Sequence, residues 1–154
     1  MNGRLMVAWT MLLTGGCGTP ASQGEARTTT SATDNDAQGK AIAQRIGLTL
    51  PTDAVIEHAE AIRGQDDAAR LVLVLPEAGR KAMAQQRAAN DPAPLPFEAD
   101  ANFHLGPDGA GWTPGKAAGL TTTQLVWRGG TEALNIGSAP AAGKVRVFLF
   151  WHQL

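Results

Sequence analysis

Hydrophobic positions recur with a different period in each stretch of this chain, and the period indicates the element. Ile42 and Ile46 lie four apart, which predicts a short helix from a capping Asp36 to a stop at Gly47. From Ala54 to Ile62 two periods compete. Val55, Ala59 and Ile62 fit a helical stripe, whereas Ile56, His58, Glu60 and Ile62 fit one face of a strand. The residues after Ile62 favour the strand: the turn-rich Gly64-Gln65-Asp66-Asp67 and the apolar run Leu71 to Leu75 would complete a hairpin. Pro76 then opens a helix that continues through Ala78, Ala82, Met83 and Gln86 to about Ala89. Pro92, Pro94 and Pro96 end it, since proline cannot continue a helix. Phe97 to Gly119 reads mostly as loop, rich in proline and glycine from Gly106 onward. Such a loop is either a functional segment or a surface excursion pinned by Phe103 and Trp112.

The clearest alternation comes next. Gly129-Gly130 predicts a hairpin with a two-residue loop, pairing Trp127 with Glu132, Leu125 with Leu134 and Thr123 with Ile136. That register collects Leu125, Trp127, Leu134 and Ile136 on one face. The other face is mainly polar: Thr122, Gln124, Arg128, Thr131 and Asn135, with Val126 and Ala133. After a turn at Gly137 to Pro140, a last strand from Lys144 to His152 sets Val145, Val147, Leu149 and Trp151 against Arg146, Phe148, Phe150 and His152. Apolar residues on both faces predict a central strand covered on two sides, or else an aromatic patch left for a partner. The expected fold is one small α+β domain over residues 38–154. Its mainly antiparallel sheet of about five strands would pack on one or two helices, in the order β-β-α-β-β-β.

The first 37 residues follow a different plan. Arg4, the apolar run Leu5 to Leu13 and the small residues before Cys17 have the layout of a secretory signal peptide. Thr14-Gly15-Gly16-Cys17 resembles the lipobox of bacterial lipoproteins, with Leu13 one place earlier than that family's usual leucine. The resemblance implies that residues 1–16 are removed and that the Cys17 sulfur receives a diacylglycerol. The new amino terminus is then often acylated, commonly with palmitate. Gly18 stands where an aspartate would resemble an inner-membrane retention signal, so the implied destination is the outer membrane, with the domain on its periplasmic face. Two or three acyl chains anchor stably, where one holds only marginally. An ordinary signal peptide and an uncleaved anchor are the alternatives, although the apolar run is shorter than the roughly 20 residues a spanning helix needs. Residues 17–37 read as the lipidated cysteine and a tether, too poor in apolar groups to offset ordering entropy.

Composition narrows the function classes. Beyond residue 16 the chain carries 12 basic and 14 acidic residues, a net charge near −2. That balance excludes the electrostatic footprint of a nucleic-acid binder. Cys17 is the only cysteine, so neither an internal disulfide nor a cysteine-based metal site can form. His58-Ala59-Glu60 resembles the His-x-Glu of zinc deaminases, but their second motif needs a cysteine pair. Any zinc site would have to gather His58, His104 and His152 from distant segments. Ala110 to Ala117 misses the phosphate-loop pattern at both ends, and Pro114 removes a backbone donor from its middle. Asp108 lacks the neighbouring acids of a calcium loop, and no serine sits in Gly-x-Ser-x-Gly. No cofactor is expected.

The expected function is non-enzymatic binding of a protein partner in the periplasm by a membrane-anchored domain. The layout is similar to that of periplasmic inhibitors and immunity proteins. The expected contact surface is the loop His104 to Trp112, including Asp108, joined by the exposed side of Arg146, Phe148 and Phe150. Trp112 is the freest aromatic ring, because Trp127 is claimed by the hairpin core. A small hydrolase or ligand-binding enzyme using His104 and Asp108, with His152 as a candidate third member, is the first alternative. A scaffold lipoprotein of an envelope assembly is the second.

Overall fold

A computed structural model describes residues 32–64, 66–90, 95–97 and 105–154. Cys17, the lipobox, Phe103 and His104 lie outside these residues.

The first helix, α1 (Ala32–Ile46), begins four residues before the expected cap, so residues 32–37, assigned above to the tether, are helical. The reason is electrostatic. Asp34 sits in the first turn, where a negative charge complements the helix dipole, and Asp36 pairs with Lys40 one turn on at 2.7 Å. The far end is where Gly47 predicts it. Gly47, at φ +71°, donates to Gln44 O and Leu48 N donates to Ala43 O, a Schellman closure that seats buried Leu48 beside Ala43. The last two carbonyls are met from elsewhere: Arg128 Nη2 donates to Arg45 O at 2.7 Å and Trp127 Nε1 to Ile46 O at 2.8 Å. All four terminal carbonyls of α1 are thereby satisfied.

The ambiguous segment after it is a strand. β1 (Val55–Ile62) and β2 (Ala68–Leu75) form the expected hairpin, with a bulge at Glu57. α2 (Glu77–Asn90) follows Pro76 as predicted. Gln86 on α2 holds the chain after α1 through both groups of its amide, accepting from Thr49 N and donating to Thr49 O.

The remaining strands are β3 (Leu95–Phe97), β4 (Thr121–Trp127), β5 (Glu132–Ala141) and β6 (Lys144–Gln153). The fold is the expected α+β with an antiparallel sheet, which among the described residues has six strands, counting the three-residue β3, in the order β1-β2-β6-β5-β4-β3. The additional strand, β3, lies in the proline-rich stretch read as a helix stop. A proline is tolerated there because β3 is an edge strand.

The β4–β5 register is the predicted one, Trp127↔Glu132 through Thr123↔Ile136. The reversal takes four residues instead of two: Arg128, Gly129 and Gly130 all have positive φ. The segment Gly137 to Pro140, expected to turn, is strand. The chain reverses instead at Ala142-Gly143, with φ +45° and +78°, as a two-residue hairpin requires.

β6 is central and covered on both faces. On one face α1, Leu48 and α2 bury Leu71, Leu73, Leu125, Trp127, Leu134, Ile136, Leu149 and Trp151. On the other, the loop from Leu105 to Leu120 lies over Val72 and Phe148. That loop makes a third layer of a molecule otherwise built from helices and sheet.

Candidate functional site

The antiparallel register decides which side chains meet on the loop-covered face. His58 pairs with Val72, and Val72 with Phe148. One row further along, Glu60 pairs with Arg70 and Arg70 with Phe150. The next row sets Ile62, Ala68 and His152 side by side. Alternation then puts His58, Glu60, Arg70, Phe148, Phe150 and His152 on one side of three neighbouring strands.

The loop is braced so that it can rest on this surface. Asp108 Oδ1 accepts from Gly115 N at 3.0 Å, tying its first half to the 3-10 turn Pro114–Lys116. Gly109 and Trp112 exchange backbone hydrogen bonds, and Gly111, at φ +73°, carries the chain through that reversal. Gly111 is required by contact as well as by conformation. A Cβ there would stand 2.4 Å from His58 Nδ1, so the loop backbone lies directly on the imidazole. Trp112 is driven into the sheet, its ring meeting Phe148 edge-on at 5.6 Å and its Nε1 donating to Leu105 O at 3.1 Å.

Arg70 is the centre of the arrangement. Its guanidinium lies over the Trp112 ring at 5.3 Å and the Phe150 ring at 5.7 Å. Phe150 in turn lies against the His152 ring at 5.2 Å. Glu60 Oε2 stands 3.4 Å from Arg70 Nη1 and 3.8 Å from His58 Nε2. The structure thus holds a cation on an aromatic floor, with a carboxylate and an imidazole beside it. Geometrically this suits recognition of a polar group at a partly dry surface.

The residues singled out from sequence divide. Phe150 belongs to this cluster and is half-buried. Trp112 and Phe148 belong to it too, but as buried core: the expectation that both present an exposed face is corrected, because each ring covers the other. Arg146 lies toward the other end of β6, in a two-pronged pair with Glu57 at 2.9 and 3.1 Å. Asp108 is exposed, with one oxygen engaged in the loop brace. His104 falls outside the described residues, so its place relative to Asp108 and His152 is not described.

His58, Glu60 and Arg70 were not among the expected site residues. A signal for two of them was present: Glu60 and Arg70 stand symmetrically about Gln65, the middle of the predicted turn, as an opposite-charge pair across a hairpin would. Among the described residues no group of three His, Asp, Glu or Cys side chains is placed to hold a metal ion, and no helix is long and apolar enough to cross a membrane. A separate groove of about 820 Å³ runs between α1 and the chain from Gly47 to Ala54.

Comparison with protein-family models, curated proteins and solved structures finds no match.

Proposed function

We propose that this chain is an envelope lipoprotein, anchored through Cys17, whose domain is a non-enzymatic protein-binding module of the inhibitor or immunity type. The binding face is the one crossed by the loop Leu105 to Leu120. The observation that supports this reading is the Arg70 cluster. An arginine fixed over Trp112 and Phe150, beside a half-exposed carboxylate, has the composition and rigidity of an interface anchor. Side chains held in place before binding lose less entropy on association than free ones.

The test is cross-linked capture from envelope extract with the full chain. Arg70 is partly exposed and belongs to neither apolar cluster of the core. The variant Arg70→Gln, with a urea unfolding curve to show that it is folded, should lose whatever protein the wild type captures, whereas Lys81→Glu, exposed on α2, should retain it. Equal capture by both variants would remove this face from consideration. The anchor has its own test. Radiolabelled palmitate should enter the wild type and not Cys17→Ser, and an unlabelled, freely soluble wild type would refute lipidation.

A further inference from the structure

The Glu60 contacts differ from those of the other carboxylate on this strand. Glu57 meets Arg146 fork to fork, with two hydrogen bonds of 2.9 and 3.1 Å. Glu60 offers one oxygen to two partners, reaching Arg70 at 3.4 Å and His58 only at 3.8 Å, beyond hydrogen-bond length. Meanwhile His58 Nε2 and Arg70 Nε are buried and have no hydrogen-bond partner among the described residues. Buried polar nitrogens without partners are uncommon, and each calls for a reason. The three groups also differ in freedom. The side chains of His58 and Arg70 are 18% and 17% exposed, held by the Gly111 backbone and by two aromatic rings, while that of Glu60 is 43% exposed. The guanidinium and the imidazole are fixed, and the carboxylate is the movable member.

We infer that Arg70 and His58 form a receptor for a carboxylate, supplied by an acidic side chain of the protein partner, and that Glu60 is an internal stand-in which that carboxylate displaces. Displacement lets Glu60 turn to solvent and gives Arg70 Nη1 an acceptor free to approach more closely than the 3.4 Å at which Glu60 stands. The Phe150 and His152 rings beside it supply the apolar rim that an anchor residue needs around its charged head. This inference rests on the protein-binding reading and names the chemistry of the partner's anchor.

The probe is a blocked alanyl-glutamyl-alanine tripeptide, titrated at millimolar concentration into the full chain while the His58 ring and Arg70 Nε–H signals are followed by NMR. Saturable shifts are expected in the wild type, with severalfold tighter binding in Glu60→Gln, where the competing carboxylate is gone. Binding should weaken about tenfold in Arg70→Lys, which keeps the charge but loses the fork and the ring stacking. The dispersion of the remaining signals reports that each variant is folded. Absence of shifts, equal shifts with the glutamine tripeptide, or equal affinity in wild type and Glu60→Gln would each overturn the inference. Sodium acetate binding as tightly as the tripeptide would assign the site to a small free carboxylate and overturn the side-chain assignment. If the tripeptide fails while Arg70→Gln still loses its captured partner, the interface stands without an acidic anchor. If both fail, the face is not an interface.

Discussion

Arg70 illustrates how a side chain's neighbours can matter more than its charge. Stacking on Trp112 and Phe150 fixes the plane of the guanidinium, so its donors point in directions that Glu60 only partly meets. Two other positions at this scale give direct tests. Ala142 adopts φ +45° at the first position of a tight hairpin, a conformation that strains alanine and that asparagine tolerates. Ala142→Asn should raise stability by about 0.5–1 kcal/mol, read from urea midpoints at unchanged slope. Glu77 opens α2 and accepts hydrogen bonds from Arg80, which hold its carboxyl below the usual glutamate range against an opposing desolvation, with smaller Coulombic help from Arg80 and Lys81. Because the folded value is lowered, the pair's stabilising effect is present at neutral pH and is lost as pH falls through that value. Solvent screening keeps the effect small. A carboxyl-carbon NMR titration should return Glu77 to the ordinary range in Arg80→Gln, and an unmoved midpoint would show that the pair does not form in solution.

At the scale of elements, α1 is held by its end as much as by its face. Its final carbonyls depend on Arg128 and Trp127, two residues of a hairpin far away in sequence. Trp127→Phe keeps most of the buried ring and leaves Ile46 O without its donor, which should cost about 1–3 kcal/mol. Hydrogen exchange should show the last turn of α1 opening more often, while β2 and β6 keep their protection. The sequence made some of these elements readable and hid others, for physical reasons. The β4–β5 register was legible because Leu125, Trp127, Leu134 and Ile136 all change face on a one-residue slip. The early start of α1 was hidden because its support is charge rather than apolar period: Asp34 and Asp36 read equally well as tether. The turn at Ala142-Gly143 was hidden because Pro140 nearby carries the stronger turn signal, yet sits in β5 opposite Val145. The Arg70 cluster lies wholly on the turn side of the bulge at Glu57, where a count from the turn pairs His58 with Val72 and Glu60 with Arg70; what the count could not supply was β6 as the next neighbour of β2.

At the scale of the molecule, the loop from Leu105 to Leu120 makes the two sides of the sheet unlike. The helix-covered side is mainly apolar, with Thr123 and Glu132 toward its edges, whereas the loop-covered side mixes a small apolar plug with Glu60, Arg70 and the His58 ring. That asymmetry was partly legible. The mixed composition of β6 indicated a strand covered on both sides, but nothing in the sequence said that a glycine-rich loop, rather than a third helix, would do the covering. The early start of α1 also shortens the segment between Cys17 and the domain. On the anchored reading, the chain from Cys17 to Ala32 spans at most about 50 Å if fully extended.

The strand order has a consequence for how the molecule is made. β1 and β2 are neighbours in sequence, and so are β3 to β6, but the two groups join along a single line, Ala68 to Leu75 against Val145 to His152. Each half can assemble from contacts within itself, while the join must wait for segments widely separated along the chain. A chain with both halves formed and the join still open carries two long unpaired edges, β2 and β6, each apolar on both sides. Self-association competes with that last step, and it grows with concentration where the join does not. Refolding yield should therefore fall as protein concentration rises, even though the stability of the finished molecule stays the same.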